Sequence, residues 1–128
     1  MASSTGTGDG GTQNPITVLS GVVKFILRAA PGLTEAEQTG QGSTVSKAGF
    51  YVSHNADART RAVFVEALGY GGKEQQMLTR YKTAIGRALN ATLGVNADAH
   101  VTVLPAGMVR ISGLSNEQIA RLRERYSA

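Results

Sequence analysis

The most regular hydrophobic pattern in the chain runs from Lys73 to about Leu93. Apolar side chains recur there every three or four residues: Met77, Leu78, Tyr81, Ile85, Leu89 and Leu93. This spacing predicts a long amphipathic α-helix with one buried stripe. Gly86 lies inside it and costs about 1 kcal/mol relative to Ala in a helix interior. We therefore expect a neighbouring element, of this chain or of another copy, to approach the helix closely at that point.

A second pattern is shared by the two ends of the chain. Residues 17–26 and 102–111 align with one insertion, and each segment is followed by a Gly-Leu pair. Next comes the spacing of a helix capping box, at 34–37 and again at 115–118. In a capping box, the Ser or Thr and the Glu or Gln bind the first free amides of a helix. Both ends therefore predict a β-hairpin followed by a helix.

Residues 16–28 also allow a second interpretation. The Asn-Pro pair at 14–15 is typical of a helix start, and Ala-Ala-Pro-Gly at 29–32 would end that helix. Several β-branched residues and the Ser-Gly pair at 20–21 favour a hairpin with a two-residue turn instead. The similarity between the two ends of the chain favours the hairpin.

The middle of the chain predicts a strand over residues 47–53, followed by a helix from about Ala58 to Leu68. The run Gly-Phe-Tyr-Val-Ser, followed by an Ala-rich segment that ends in Glu-Ala-Leu-Gly-Tyr, resembles the third strand and second helix of an RNA-recognition motif. That resemblance implies that Phe50 stacks on bases while Tyr51 points the other way. A long helix stands where the family's fourth strand should be, so we assign Phe50 to the core.

Together these elements predict an α+β fold. We expect a small, mainly antiparallel sheet from segments near 16–28, 47–53 and 100–112, packed on two central helices and a C-terminal helix. Residues 1–14 are rich in Gly, Ser and Thr and have little to bury, so we expect a flexible, disordered arm. Residues 15–128 form one α+β domain, in keeping with a chain of 128 residues.

The composition excludes several kinds of chemistry. The chain has no cysteine, which excludes disulfides, thiolate-bound zinc, iron–sulfur clusters and a cysteine nucleophile. No apolar run approaches the roughly 20 residues that a membrane-spanning helix needs. The N-terminal residues lack the basic start and apolar stretch of a secretory signal. We expect a cytoplasmic protein, located in the host cytoplasm or in a particle if it is viral.

The charge pattern permits an anionic partner, and it also fits the ordinary solvated surface of a basic protein. Thirteen Lys and Arg residues against nine Asp and Glu residues give a net charge of +4. Lys73, Arg80 and Arg87 follow each other at steps of seven, which places them about 10 Å apart along one side of the long helix. Amide and hydroxyl side chains lie between them, an arrangement that suits a phosphate backbone. Arg121 and Arg125 on the C-terminal helix form a second, weaker cluster of positive charge.

Candidate catalytic or metal-binding groups are few. His54 and Asp57, together with Asp98 and His100, could form a metal site if the fold joined them. Both segments also lie where loops use Asn and Asp as caps, which explains them without a metal. The chain has no nucleophile-elbow, phosphate-loop or zinc-protease motif and no evident pair of carboxylates for acid–base work. We therefore predict no enzyme activity, metal, cofactor or small-molecule substrate.

Two functions remain after this elimination. The first is a non-enzymatic basic module that binds DNA or RNA through Lys73, Arg80 and Arg87, helped by Arg121 and Arg125. The alternative is a structural or assembly subunit, of a virion or another homo-oligomer, that uses its N-terminal arm for subunit contacts. Neither function involves a membrane.

Overall fold

A computed structural model of the chain describes residues 14–38, 45–55 and 61–127. The elements run in the order α1 (Pro15–Ala29), β1 (Glu37–Gln38), β2 (Val45–Lys47), β3 (Gly49–His54), β4 (Ala62–Leu68), α2 (Glu74–Leu93), a short 3-10 helix (Ala97–Ala99), β5 (Val101–Leu104), β6 (Met108–Ser112) and α3 (Asn116–Arg125). The predicted α+β class is confirmed. The sequence predicts a flexible arm over residues 1–14. Residues 1–13 lie outside the described ranges, and Asn14 is the N-cap residue of α1.

The main sheet has four strands in the spatial order β3–β4–β6–β5, and every neighbouring pair is antiparallel. The short strands β1 and β2 form a separate antiparallel ribbon. The expectation of a mainly antiparallel sheet is therefore confirmed. Since β4 and β6 lie inside the sheet, the two edges are β3 and β5.

The core lies between one face of this sheet and the helices α1 and α2. Val63, Val65 and Ala67 alternate along β4 and are buried on the helix side. The apolar stripe predicted for α2 is confirmed, with Leu93 half-buried and the other five residues buried. Helix α3 packs on α1 and α2 through Ile119 and Leu122. Among the described residues, no helix has the length and apolar content to cross a bilayer.

The hairpin prediction for residues 16–28 is wrong, because this segment is the helix α1. The Asn14 side chain accepts a hydrogen bond from the Ile16 amide at 2.9 Å, and Pro15 occupies the first helical position. The β-branched residues contribute to one buried stripe on α1: Ile16, Leu19, Val22, Val23, Ile26 and Leu27. Burial of a whole helix face outweighs the weak β preference of its individual residues.

The helix predicted from Ala58 to Leu68 is also wrong, because Ala62–Leu68 is the strand β4. The spacing of Ala62, Val65 and Leu68 suits a helix, but the same residues also belong to a strand whose alternate side chains are buried. Hydrogen bonding to β3 on one side and β6 on the other selects the strand. Of the two helices predicted for the middle of the chain, only α2 is present among the described residues, and α1 is the second helix that packs on the sheet.

The two proposed capping boxes have different outcomes. At the C-terminal one, the Ser115 hydroxyl accepts from the Gln118 amide at 3.1 Å, and the Gln118 side chain accepts from the Ser115 amide at 2.9 Å. That box, and the β5–β6 hairpin before it, are confirmed. At the other, the Thr34 hydroxyl donates to the Ala48 carbonyl and Glu37 lies in β1, so no helix begins there.

Phe50 belongs to the core, as predicted. Its side chain is fully buried and packs edge-on against Tyr81, with 6.2 Å between the ring centroids. Tyr51 points to the opposite side of the sheet and is 45% exposed. The resemblance to an RNA-recognition motif fails at its second helix, which is β4 in this chain.

Candidate nucleic-acid interface

Helix α2 supplies the scaffold for the predicted row of cations. It is unbroken from Glu74 to Leu93, and Lys73 is its N-cap residue. Seven residues are almost two turns, so successive cations drift by only about 20° around the helix axis. Lys73, Arg80 and Arg87 therefore share one exposed side of α2 and span about 21 Å along it. We call these three residues the cationic row.

Arg80 is held in place by the loop that follows α1. Its Nη2 donates to the Pro31 carbonyl at 3.3 Å, and its Nη1 lies 3.8 Å from the sulfur of Met77. A Cβ on Gly32 would lie 3.0 Å from Nη2, so the absence of a side chain there leaves room for the guanidinium. Because a guanidinium has five N–H donors, most of them remain free for an anion. This contact orients Arg80 without neutralising its charge.

Arg87 lies on a ridge between two shallow grooves. One groove, of about 350 Å³, separates α2 from the loop at 30–33 and is lined by Arg80 as well as Arg87. The other, of about 560 Å³, separates α2 from the short 3-10 helix and is lined by Lys82 and Asp98. Arg87 itself is exposed, and no hydrogen bond or ion pair joins it to another of the described residues. Its charge is therefore available to a ligand in either groove.

Acidic side chains among the described residues neutralise little of the positive charge of the cationic row. The two ion pairs within the described ranges join Arg28 to Glu35 and Lys82 to Asp98. Glu74 is next to Lys73, but its carboxylate accepts from the amides of Tyr70 and Gly72 at 2.9 and 3.0 Å. Hydrogen bonds from the backbone, its own amide first, hold the pKa of Glu74 below its usual value. Glu74 thus offsets positive charge at the start of α2, and the row is most cationic at Arg80 and Arg87.

The two arginines of α3 lie away from the row. Arg121 donates from Nη2 to the Thr92 carbonyl at 3.1 Å, where it satisfies a free carbonyl at the end of α2. Thr92 is five residues beyond Arg87 and so about 140° further around the helix. The Arg125 guanidinium lies 5.5 Å from the centroid of the Tyr126 ring. The five predicted residues therefore divide into a row on α2 and a separate pair on α3.

The two histidines are far apart. His54 ends β3 and His100 precedes β5, and these strands are the opposite edges of the sheet. Three strand spacings separate the edges, which is about 14 Å. His100 donates from Nδ1 to the Ser112 carbonyl at 3.0 Å, whereas Nε2 of His54 is 3.4 Å from the Thr17 hydroxyl. Within the described ranges, no three potential metal ligands are grouped; Asp57 lies outside these ranges.

Two contacts of this region depend on tertiary packing, and the sequence does not identify the partner in either of them. The Pro31 carbonyl that orients Arg80 belongs to a segment whose sequence only marks the end of a helix. The neighbour expected at Gly86 is Ala97 of the same chain, since a Cβ on Gly86 would lie 2.9 Å from the Ala97 Cβ. The slender part of α2 therefore accommodates an intrachain contact.

Comparisons of the chain with protein-family models, with curated proteins and with solved structures found no match.

Proposed function

We propose that the chain is a cytoplasmic, non-enzymatic module that binds the phosphate backbone of nucleic acid through Lys73, Arg80 and Arg87. The observation that carries this proposal is the position of Arg80 and Arg87. They lie on one side of an unbroken helix, border a common groove and form no ion pair within the described residues. The net charge of +4 favours association with a polyanion in general.

The chemistry of the row suits phosphate contacts. Lys and Arg neutralise phosphates and release the counterions condensed on them, which supplies affinity without sequence preference. A protein that neutralises three phosphates of duplex DNA should show a slope of about −2.7 in log K against log salt. This slope predicts that affinity falls about 40-fold when the salt concentration rises fourfold.

The test is a salt titration of binding to a fluorescent DNA duplex, read by anisotropy. Arg80→Gln and Arg87→Gln each remove one cation and keep helix propensity, so each should weaken binding and make the slope shallower by about 0.9. The matched control is Arg123→Gln, which makes the same charge change on the exposed side of α3. We expect this control to keep the wild-type slope.

Two outcomes would reject the proposal. Wild-type protein that does not bind duplex or single-stranded nucleic acid at low salt has no such function. If R123Q weakens binding as much as R87Q, the attraction depends on net charge rather than on the cationic row.

A further inference from the structure

The sheet has a second face that none of the described elements covers. Helices α1 and α2 pack on one side. The residues that point to the other side are partly or fully exposed, except Gly49 and Ala62 at the ends of their strands, which are buried. The large apolar side chains on this side are Tyr51, Phe64, Leu68, Leu104 and Met108. None of them belongs to the buried core cluster or to the residues packed against it. We call this surface the open sheet face.

Two opposite charges lie in the middle of the open sheet face. In the register of β4 and β6, Glu66 is opposite Met108 and Arg110 is opposite Phe64. Glu66 and Arg110 are therefore diagonal neighbours on adjacent strands, with their Cα atoms about 7 to 8 Å apart. Neither forms an ion pair with a described residue.

The Arg110 side chain has an unmet hydrogen-bonding requirement. Its Nε is buried and has no hydrogen-bond acceptor among the described residues. A buried donor without an acceptor is unfavourable, and proteins rarely tolerate one.

We propose that the open sheet face binds the same face of a second copy of this chain. A two-fold axis in the plane of the interface, passing midway between Glu66 and Arg110 and perpendicular to the line that joins them, places each Glu66 opposite the Arg110 of the other copy. The face is thus complementary in charge to itself, as a symmetric dimer requires. Both ion pairs form at once, with the apolar side chains around them.

The dimensions of the face indicate a reversible dimer. Four strands about 4.8 Å apart and five residues long give a surface of about 19 by 17 Å. This is small beside the interfaces of permanent dimers, which bury a larger area on each partner. The aromatic rings of Tyr51 and Phe64 are suitable anchors, because aromatic side chains are enriched in protein interfaces and Tyr is common among the residues that contribute most to binding.

The test uses charge reversal and sedimentation equilibrium. The wild-type protein should shift, as its concentration rises, from the mass of one chain, 13.4 kDa, towards twice that mass. E66R leaves two positive charges on the face and R110E leaves two negative charges, so each variant alone should remain monomeric. An equimolar mixture of the two should dimerise again, because each Arg then meets a Glu of the other variant. The matched control E124R makes the same charge change on α3 and should dimerise like the wild type.

Three results would overturn the proposal. The first is a wild-type protein that remains monomeric up to about 1 mM, a concentration at which even a weak homodimer is populated. The second is a wild-type dimer that persists in both E66R and R110E, since its interface would then lie elsewhere. The third is a mixture that stays monomeric although circular dichroism shows both variants folded. If the wild-type protein stays monomeric and R110E also loses nucleic-acid binding, the open sheet face would be assigned to nucleic acid instead.

The dimer proposal is independent of the proposed function, because the cationic row lies on α2, on the other side of the sheet.

Discussion

Replacement of Gly49 by Ala should destabilise the protein severely, although the change adds only one methyl group. Gly49 begins β3, and the segment 34–36 runs along the outer edge of this strand. A Cβ at Gly49 would lie 2.1 Å from the Thr34 carbonyl oxygen and 2.6 Å from the Ala36 amide nitrogen. Both contacts are with backbone, so the whole segment would have to move by about 1 Å to reach even a tight contact.

The cost has two parts. Overpacking with backbone movement costs about 1 to 3 kcal/mol. The same movement stretches two hydrogen bonds of Phe50, whose amide donates to the Thr34 carbonyl at 2.7 Å and whose carbonyl accepts from the Ala36 amide at 3.0 Å. At about 1 kcal/mol for each bond, the free energy of unfolding should fall by about 3 to 5 kcal/mol. For a domain of this size, Tm should fall by about 12 to 20 °C.

Gly21→Ala is the matched control, because it makes the same substitution in a different environment. Gly21 is an exposed residue inside α1, and nothing lies within 4 Å of the added Cβ. Ala is favoured over Gly there by about 1 kcal/mol, so Tm should rise by about 4 °C. Thermal unfolding followed by circular dichroism measures both shifts. A Tm for G49A within about 4 °C of the wild type would refute the close approach of residues 34–36 to β3.

Two further changes test the core and the last helix. Burial, followed by a hydrogen bond to the Tyr70 hydroxyl at 3.3 Å, raises the pKa of the Tyr81 phenol. In the folded state the Tyr81 phenol therefore keeps its proton at a pH where the unfolded chain has lost it. The free energy of unfolding should fall by about 1.4 kcal/mol per pH unit above about pH 10. The free energy of unfolding, measured with urea from pH 9 upwards, should fall less steeply with pH for Tyr81→Phe than for the wild type. Equal slopes for the two proteins would contradict the raised pKa of Tyr81. Ser115→Ala removes the hydroxyl that accepts from the Gln118 amide and should cost about 1 kcal/mol, measured as a lower urea midpoint; an unchanged midpoint would show that the capping box contributes nothing.

The candidate interface could be predicted only in part. The seven-residue spacing of Lys73, Arg80 and Arg87 determines that they share a helix face once α2 forms. The sequence does not show that Arg121 binds the end of α2, because that contact depends on how α3 packs. Glu66 could not be placed next to Arg110 either, since 44 residues separate them in the chain and only the β4–β6 register makes them neighbours.

The sequence by itself determined helix α2 with its buried stripe, the β5–β6 hairpin and the capped start of α3. Each of these depends on residues within a few positions of one another, and periodicity, turns and caps act at that range. Tertiary structure alone decided that residues 15–29 form a helix and that 62–68 form a strand. In both segments the local preferences are close to balanced, at a fraction of a kcal/mol per residue. Burial of a whole helix or sheet face is worth many times more, so the neighbouring elements select the conformation.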